Sequence, residues 1–306
     1  MGRNYQQLLQ ARWKADHLVC IGLDSEYAKL PLFLREKYGA KQGEAVLAFN
    51  RSIVDSTFSI AGSYKIQSSF YEAHGEEGIA VLRGTIEYIQ KKAPEIPIIV
   101  DAKRADIGNT NMGYIEAIFE KWGADAVTLH PYLGGEALKP LLDLKDKGLI
   151  ILCRTSNPGA GEFQDRKISL SQIELYALTH GPAGEYGSHL ELEQPIPLYQ
   201  YVALRVANHW NVNSNCQLVV GATYPEEASQ IRKLVGGLPF LIPGVGAQGG
   251  DLGLTVKACR DSQGEGMVIS SSRSIIFASN NEDFAEAAAK EAEKLNNLIN
   301  QFRKES

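Results

Sequence analysis

Cysteine is scarce in this chain and widely scattered. The four present, Cys20, Cys153, Cys216 and Cys259, form no Cys-x-x-Cys pair. That spacing excludes the common zinc motifs and a disulfide framework, and reduced thiols in a cytoplasmic setting are the expectation. Basic charge is lacking as well. With a net charge of −5 at pH 7 and a pI near 5.8, the chain offers no field for nucleic acid or an anionic membrane, so any phosphate has to be held by a local site. No apolar run approaches the roughly 18 residues needed to cross a bilayer, and Met1 to Lys14 lacks the apolar core of a signal peptide. The Met1-Gly2 start is followed by Gln6 where N-myristoylation requires Ser or Thr. Internal repeats and low-complexity tracts are also absent. The remaining class is a soluble globular protein of 306 residues, 44% hydrophobic, large enough for one sizeable core and suited to a small-molecule partner.

Short apolar runs alternate with helix-like stretches along the chain. Strands are expected at Leu18 to Leu23, Tyr64 to Gln67, Ile96 to Asp101, Ala126 to His130, Leu149 to Cys153, Gln217 to Ala222, Phe240 to Val245 and Met267 to Ser270. Segments such as Glu44 to Ser59, Gly75 to Lys92, Asn111 to Trp122 and Pro225 to Leu234 are long enough to be crossover helices. Eight strands, each followed by a helical crossover, predict a (β/α)8 TIM barrel in a single domain spanning 1–306. One connection, from Thr155 to Cys216, is about sixty residues long, roughly twice what a loop and helix require. A helix is expected around Leu198 to Trp210, and the fifth connection is read as carrying an insertion over about 157–215.

The most informative segment is Asp101-Ala102-Lys103-Arg104-Ala105-Asp106, directly after the third run. Strand alternation puts Asp101 and Lys103 on one face and Ala102 on the other, with Ile98 and Val100. A lone Asp-x-Lys there is read most simply as a structural ion pair. A second carboxylate, Asp106, changes the balance. Two carboxylates about one lysine hold the amine charged, yet repel each other by about 4 kcal/mol at 4 Å and an effective dielectric near 20. Such a cluster has a rationale when it performs chemistry.

In these barrels the active site lies at the C-terminal ends of the strands. The positions there are unusually polar: Asp24, Lys65, Gln67, Asp101, Lys103, Asp106, His130, Ser156 and Arg273. The seventh run is followed by Gly244-Val245-Gly246-Ala247-Gln248-Gly249-Gly250, which formally matches G-x-G-x-x-G. A dinucleotide fold requires the next strand to end in an acid about 20 residues on, whereas Glu265 precedes the next strand. The glycines are better read as letting backbone close on an anion, with Gln248 and the guanidinium of Arg273 as side-chain donors.

Together, Asp101-x-Lys103-x-x-Asp106, the strand Tyr64-Lys65-Ile66, Thr155-Ser156-Asn157-Pro158-Gly159-Ala160, the glycine segment from Pro243 to Gly250 and Ser272-Arg273-Ser274-Ile275 resemble orotidine 5′-phosphate decarboxylase, in particular its longer bacterial-type subgroup. The likeness runs in barrel order from Asp24 to Arg273. It implies decarboxylation of orotidine 5′-monophosphate to UMP, the last step of de novo UMP synthesis, without cofactor or metal. By motif position, Lys103 would protonate C6 and Lys65 and Asp101 would complete a charged array with it. The resemblance also implies a homodimer in which Asp106 joins the array of the partner's site and Thr110 reaches into it. Asp24 would bind the ribose hydroxyls, Ser156 would face the pyrimidine, and Gln248 and Arg273 would hold the phosphate. Two other readings compete with it. One is a Mg2+-dependent phosphosugar decarboxylase or aldolase of the same barrel, against which Lys65, the Ser156 segment and the chain length speak. The other is a non-catalytic nucleotide-binding barrel, against which the intact Asp-Lys-Asp set speaks.

Overall fold

A strand buried on both faces needs apolar side chains at nearly every position, and the eight apolar runs form strands of that kind. The structure, a computed structural model, describes residues 2–190, 192–245 and 250–305. Its strands are β1 (Val19–Gly22), β2 (Ser63–Gln67), β3 (Ile98–Arg104), β4 (Ala126–Leu129), β5 (Gly148–Arg154), the short antiparallel pair β6 (Lys167–Ile168) and β7 (Ile196–Pro197), then β8 (Cys216–Val220), β9 (Phe240–Ile242) and β10 (Met267–Ser271). All except β6 and β7 pair in parallel and close a barrel in the ring order β1-β10-β9-β8-β5-β4-β3-β2. This is the eight-stranded barrel that the spacing of apolar runs predicts.

Helices on the outside bury one stripe each. The helix Gln42–Thr57 turns Phe49, Ile53 and Val54 inward, and the last helix, Phe284–Lys304, buries Ala288, Ala292 and Ile299. The two ends of the barrel differ. The N-terminal end is covered by the helix Tyr5–Lys14, which buries Tyr5, Leu9 and Trp13 at helical spacing. Tyr5 lies where a Cβ on Gly148 would sit, only 2.2 Å from its ring, so glycine is required there. Arg3 adds a bidentate pair with the buried Asp125 at 2.7 and 2.8 Å. The opposite end, where the strands finish, is left open. No described helix is long and apolar enough to cross a membrane.

Two details depart from simple strand reading. β3 continues through Arg104 rather than ending at Asp101, and its pairing with β4 shifts register between Val100 and Arg104. Lys103 sits at that irregularity with φ +48°, a left-handed conformation that few non-glycine residues adopt. The even alternation expected across Asp101, Ala102 and Lys103 therefore breaks, although the lysine still turns back to its aspartate. In the long fifth connection, the helix Leu198–Arg205 and its π-helical continuation Val206–Trp210 bury Tyr199, Ala203, Leu204 and Trp210. Those residues do the packing of an ordinary crossover helix. The additional length lies before them, where the chain leaves β5, runs through the helix Gln172–Thr179 and returns through the β6–β7 ladder.

Candidate active site

Three neighbouring strands bring four charged side chains into one line at the open end. Asp24 follows β1, Lys65 stands in β2, and Asp101 and Lys103 stand in β3. Lys65 Nζ is 3.4 Å from Asp24 Oδ1 and 3.4 Å from Asp101 Oδ2, while Lys103 Nζ donates to Asp101 Oδ1 at 2.6 Å. Charge thus alternates along Asp24, Lys65, Asp101 and Lys103. Lys65 is almost wholly buried, whereas the Lys103 side chain remains 46% exposed and faces the opening. A buried charge is tolerated when it is paired and hydrogen-bonded, and every charge in this line has an opposite neighbour.

Asp101 is the hub. Its Oδ1 also accepts from Thr128 Oγ1 at 2.7 Å, and its Oδ2 from Gln67 Nε2 at 3.4 Å. Burial on its own would raise its pKa, but Lys65 and Lys103, with the Lys103 and Thr128 hydrogen bonds, pull the carboxyl down to about 2. For Lys65 burial pulls the other way, toward loss of its proton, yet Asp24 and Asp101 outweigh it and the ammonium is held well above its ordinary range. The carboxylate and the buried ammonium are therefore fixed in their charged forms across neutral pH. Thr128 has a second task, because its Oγ1 accepts the backbone N–H of Lys103 at 2.9 Å and so secures the left-handed residue.

These groups line a cavity of about 530 Å³, a volume suited to a small molecule. Ser156, Asn157, Gly244 and Arg273 complete its wall on the other side of the ring. β9, which leads into Gly244, is four strands from β3 in the ring of eight and hence diametrically opposite it. Gly244 itself has φ +97°, a conformation open to glycine. Gln248, with Gly246, Ala247 and Gly249 of the same segment, lies outside the described residues. Among the described residues no group of three or more His, Cys, Asp or Glu side chains is arranged to hold a metal ion.

Of the residues singled out by sequence, Asp24, Lys65, Gln67, Asp101, Lys103, Ser156 and Arg273 meet at this cavity. Asp106, Thr110 and His130 do not line it. Asp106 Oδ1 accepts the N–H of Ile107, and the turn is locked by the buried Asn111, which accepts the Asp106 N–H at 3.0 Å and donates to the carbonyls of Asp106 and Ala137. Within one chain, Lys103 therefore has one carboxylate partner rather than two. Thr110 is exposed on the helix Gly108–Ile115, and His130 Nε2 lies 3.2 Å from the Ala105 carbonyl oxygen. Thr128 and Gln164 also line the cavity without being singled out by sequence, and Asn157 enters there only as part of the Thr155–Ala160 motif. Thr128 had one available signal, as the single hydroxyl inside the apolar run Ala126 to Leu129.

Comparison with known proteins gives a consistent result. The sequence profile of the orotidine 5′-phosphate decarboxylase / HUMPS family matches residues 17–288. The orotidine 5′-phosphate decarboxylase of Cellvibrio japonicus is 43% identical over 302 residues, covering 98% of this chain and 99% of that one. That of Janthinobacterium sp. is 41% identical over 96% of this chain and 97% of its own. Among solved structures, Leishmania donovani OMP decarboxylase superposes with a TM-score of 0.77 at 30% identity, covering 99% of this chain and all of that one. Leishmania donovani UMP synthase gives a TM-score of 0.78 at 32% identity, with 98% of this chain matching 57% of that longer protein.

Proposed function

The chain belongs to the orotidine 5′-phosphate decarboxylase / HUMPS family, and from that premise we infer that it converts orotidine 5′-monophosphate to UMP and CO2. The observation that carries this reading is the line of alternating charge from Asp24 to Lys103 at the open end of the barrel. Breaking the bond between C6 and the carboxylate leaves an electron pair on C6 of the pyrimidine, a vinyl position with no conjugated acceptor. A fixed cation has to meet that charge. Lys103 does so and then delivers its proton to C6 as CO2 departs, so its stabilisation is realised mainly in the transition state. Asp101, facing the leaving carboxylate, would also raise the ground state, a secondary contribution.

Binding follows the same division. Asp24 takes the ribose hydroxyls, Ser156 the pyrimidine, and Arg273 with Gln248 the phosphate, where binding energy offsets the cost of orienting the reacting carbon. The phosphate bears no part in the bond change, which is why its grip can lie across the ring from Lys103.

Asp106 and Thr110 fit a site shared between two copies of the chain. Ile107 and Met112 flank them at 59 and 55% exposure, and Tyr132 and Leu133, at 86 and 44%, immediately precede the helix Gly134–Leu142, which packs against the helix Gly108–Ile115. Such a cluster is suited to burial against a two-fold partner. A homodimer then puts the Asp106 carboxylate of one chain beside the Lys103 of the other. The four cysteines, all free and buried, suit a cytoplasmic setting.

The test is to follow the ultraviolet absorbance of orotidine 5′-monophosphate with the protein before and after exhaustive EDTA treatment. Equal turnover in both supports the reading. Turnover abolished by EDTA and restored by Mg2+ would favour the metal-dependent phosphosugar chemistry instead, and no turnover at all would favour a binding protein.

A further inference from the structure

The segment that lengthens the fifth connection reaches back to the active site through two consecutive residues. Gln164 lines the cavity. Its Oε1 accepts the backbone N–H of Thr155 at 2.9 Å and its Nε2 donates to Thr155 Oγ1 at 2.9 Å, so both ends of the amide grip one residue. Thr155 Oγ1 passes its own hydrogen to Asn157 Oδ1 at 2.7 Å. The neighbouring Asp165 pairs with Arg154 at 3.2 Å. Arg154 is a guanidinium only 2% exposed, stacked 3.7 Å from the centre of the Tyr224 ring. Backbone bonds from Tyr199 N–H to the Gln164 carbonyl and from Leu198 N–H to the Arg166 carbonyl, 3.0 and 2.8 Å, secure the segment from its far side.

Ser156 lies between Thr155, which Gln164 grips, and Asn157, which Thr155 holds in turn, and is closed in from behind. A Cβ on Gly221 would stand 2.7 Å from the Ser156 backbone, and Thr223 Oγ1 donates to the Ser156 carbonyl at 3.3 Å. A two-point amide grip of this kind costs a flexible side chain its freedom and fixes a turn that would otherwise move. We propose that the insertion is a positioning element of the active site, in which Gln164, seated by the Arg154–Asp165 pair, holds the Thr155–Asn157 turn so that Ser156 meets the pyrimidine. The proposal rests on the decarboxylase reading and on the role given there to Ser156.

The experiment compares kcat/KM for orotidine 5′-monophosphate in wild type, Gln164→Met, Ser156→Ala and the double variant, with thermal unfolding of each. Methionine fills a similar volume without the hydrogen bonds. Gln164→Met is expected to lose about tenfold with little change in Tm, and the double variant to be no worse than Ser156→Ala alone, because the two act through one contact. Gln164→Glu, which keeps the acceptor for the Thr155 N–H, is expected to recover part of that loss. Losses that multiply in the double variant overturn the proposal while leaving the role of Ser156 standing. A Gln164→Met loss that follows a fallen Tm and is not relieved by Gln164→Glu overturns it as well. A Ser156→Ala chain as active as wild type overturns it through the underlying reading instead.

Discussion

The two halves of the barrel rim are built differently. On the side of β1 to β4, the functional groups stand in strands or directly after them, buried or ion-paired, with Asp101 bonded to four neighbouring side chains. On the side of β5, β9 and β10, they stand beyond the strands, Ser156 on a bend after β5, Gly244 after β9 and Arg273 at the start of the short helix Arg273–Ile276, all facing the same cavity. On the proposed reading, Lys65, Asp101 and Lys103 on the first side serve charge that appears only during reaction, where any reorganisation of donors would subtract from rate, with Asp24 at its edge holding the ribose. On the same reading, the second side grips groups already present in the substrate. The proposed division, a rigid array on strands for the bond change and a grip beyond the strand ends for recognition, is one that (β/α)8 barrels allow, because both kinds of position converge at one end.

The largest effect should come from the array and its partner. Lys103→Ala and Asp106→Ala chains should each lose on the order of 10³-fold in kcat when alone, yet recover together when co-expressed. Random pairing makes about half the dimers mixed, each with one intact site in two, so activity should return to about a quarter of wild type. Verified mixed dimers that stay inactive would return Asp106 to its own subunit and confine the array to one chain. A smaller effect belongs to the other side. Arg273→Ala should weaken kcat/KM for the 5′-phosphate substrate by about 3 kcal/mol while hardly changing the poor reaction of orotidine without phosphate. Equal losses on both would mean that Arg273 supports the ring site or the fold, and the division would blur.

The smallest concerns stability. Because Asp101 is held near 2 when folded and ionises near 3.9 when unfolded, its contribution is present above about pH 4 and is lost as pH falls through about 2. The wild type should therefore lead Asp101→Asn by a margin that narrows by about 2 kcal/mol between about pH 5 and pH 2. Denaturant unfolding at the two pH values measures it. A margin that does not change with pH would mean that the carboxylate is not stabilised by its lysines.

Much of the strand-borne half is legible in sequence, because strands buried on both faces are written as apolar runs and a charge at their end is conspicuous. The conformation of Lys103 is not. Nothing in a lysine codon position marks φ +48°, and the register shift that produces it arises from how β3 meets β4. Thr128 is hidden for a related reason, since one hydroxyl in an apolar strand reads as a tolerated core residue until its neighbours across the sheet are known. Gln164 is hidden as a polar residue in a polar stretch, because nothing in the sequence marks that the chain turns back within nine residues to bring its amide onto Thr155. Asp106 is legible as part of a motif, and its proposed destination lies in a second chain.

The division between the two halves is tested most directly by measuring two quantities on the same pair of variants, the decarboxylation rate at saturating substrate and the affinity for UMP, in Lys103→Ala and Arg273→Ala. A crossing is expected. Lys103→Ala should lose on the order of 10³-fold in rate with UMP affinity kept within about tenfold. Arg273→Ala should lose on the order of 10²-fold in UMP affinity, with the smaller loss in saturating rate. Both variants losing rate and affinity in the same proportion would contradict it.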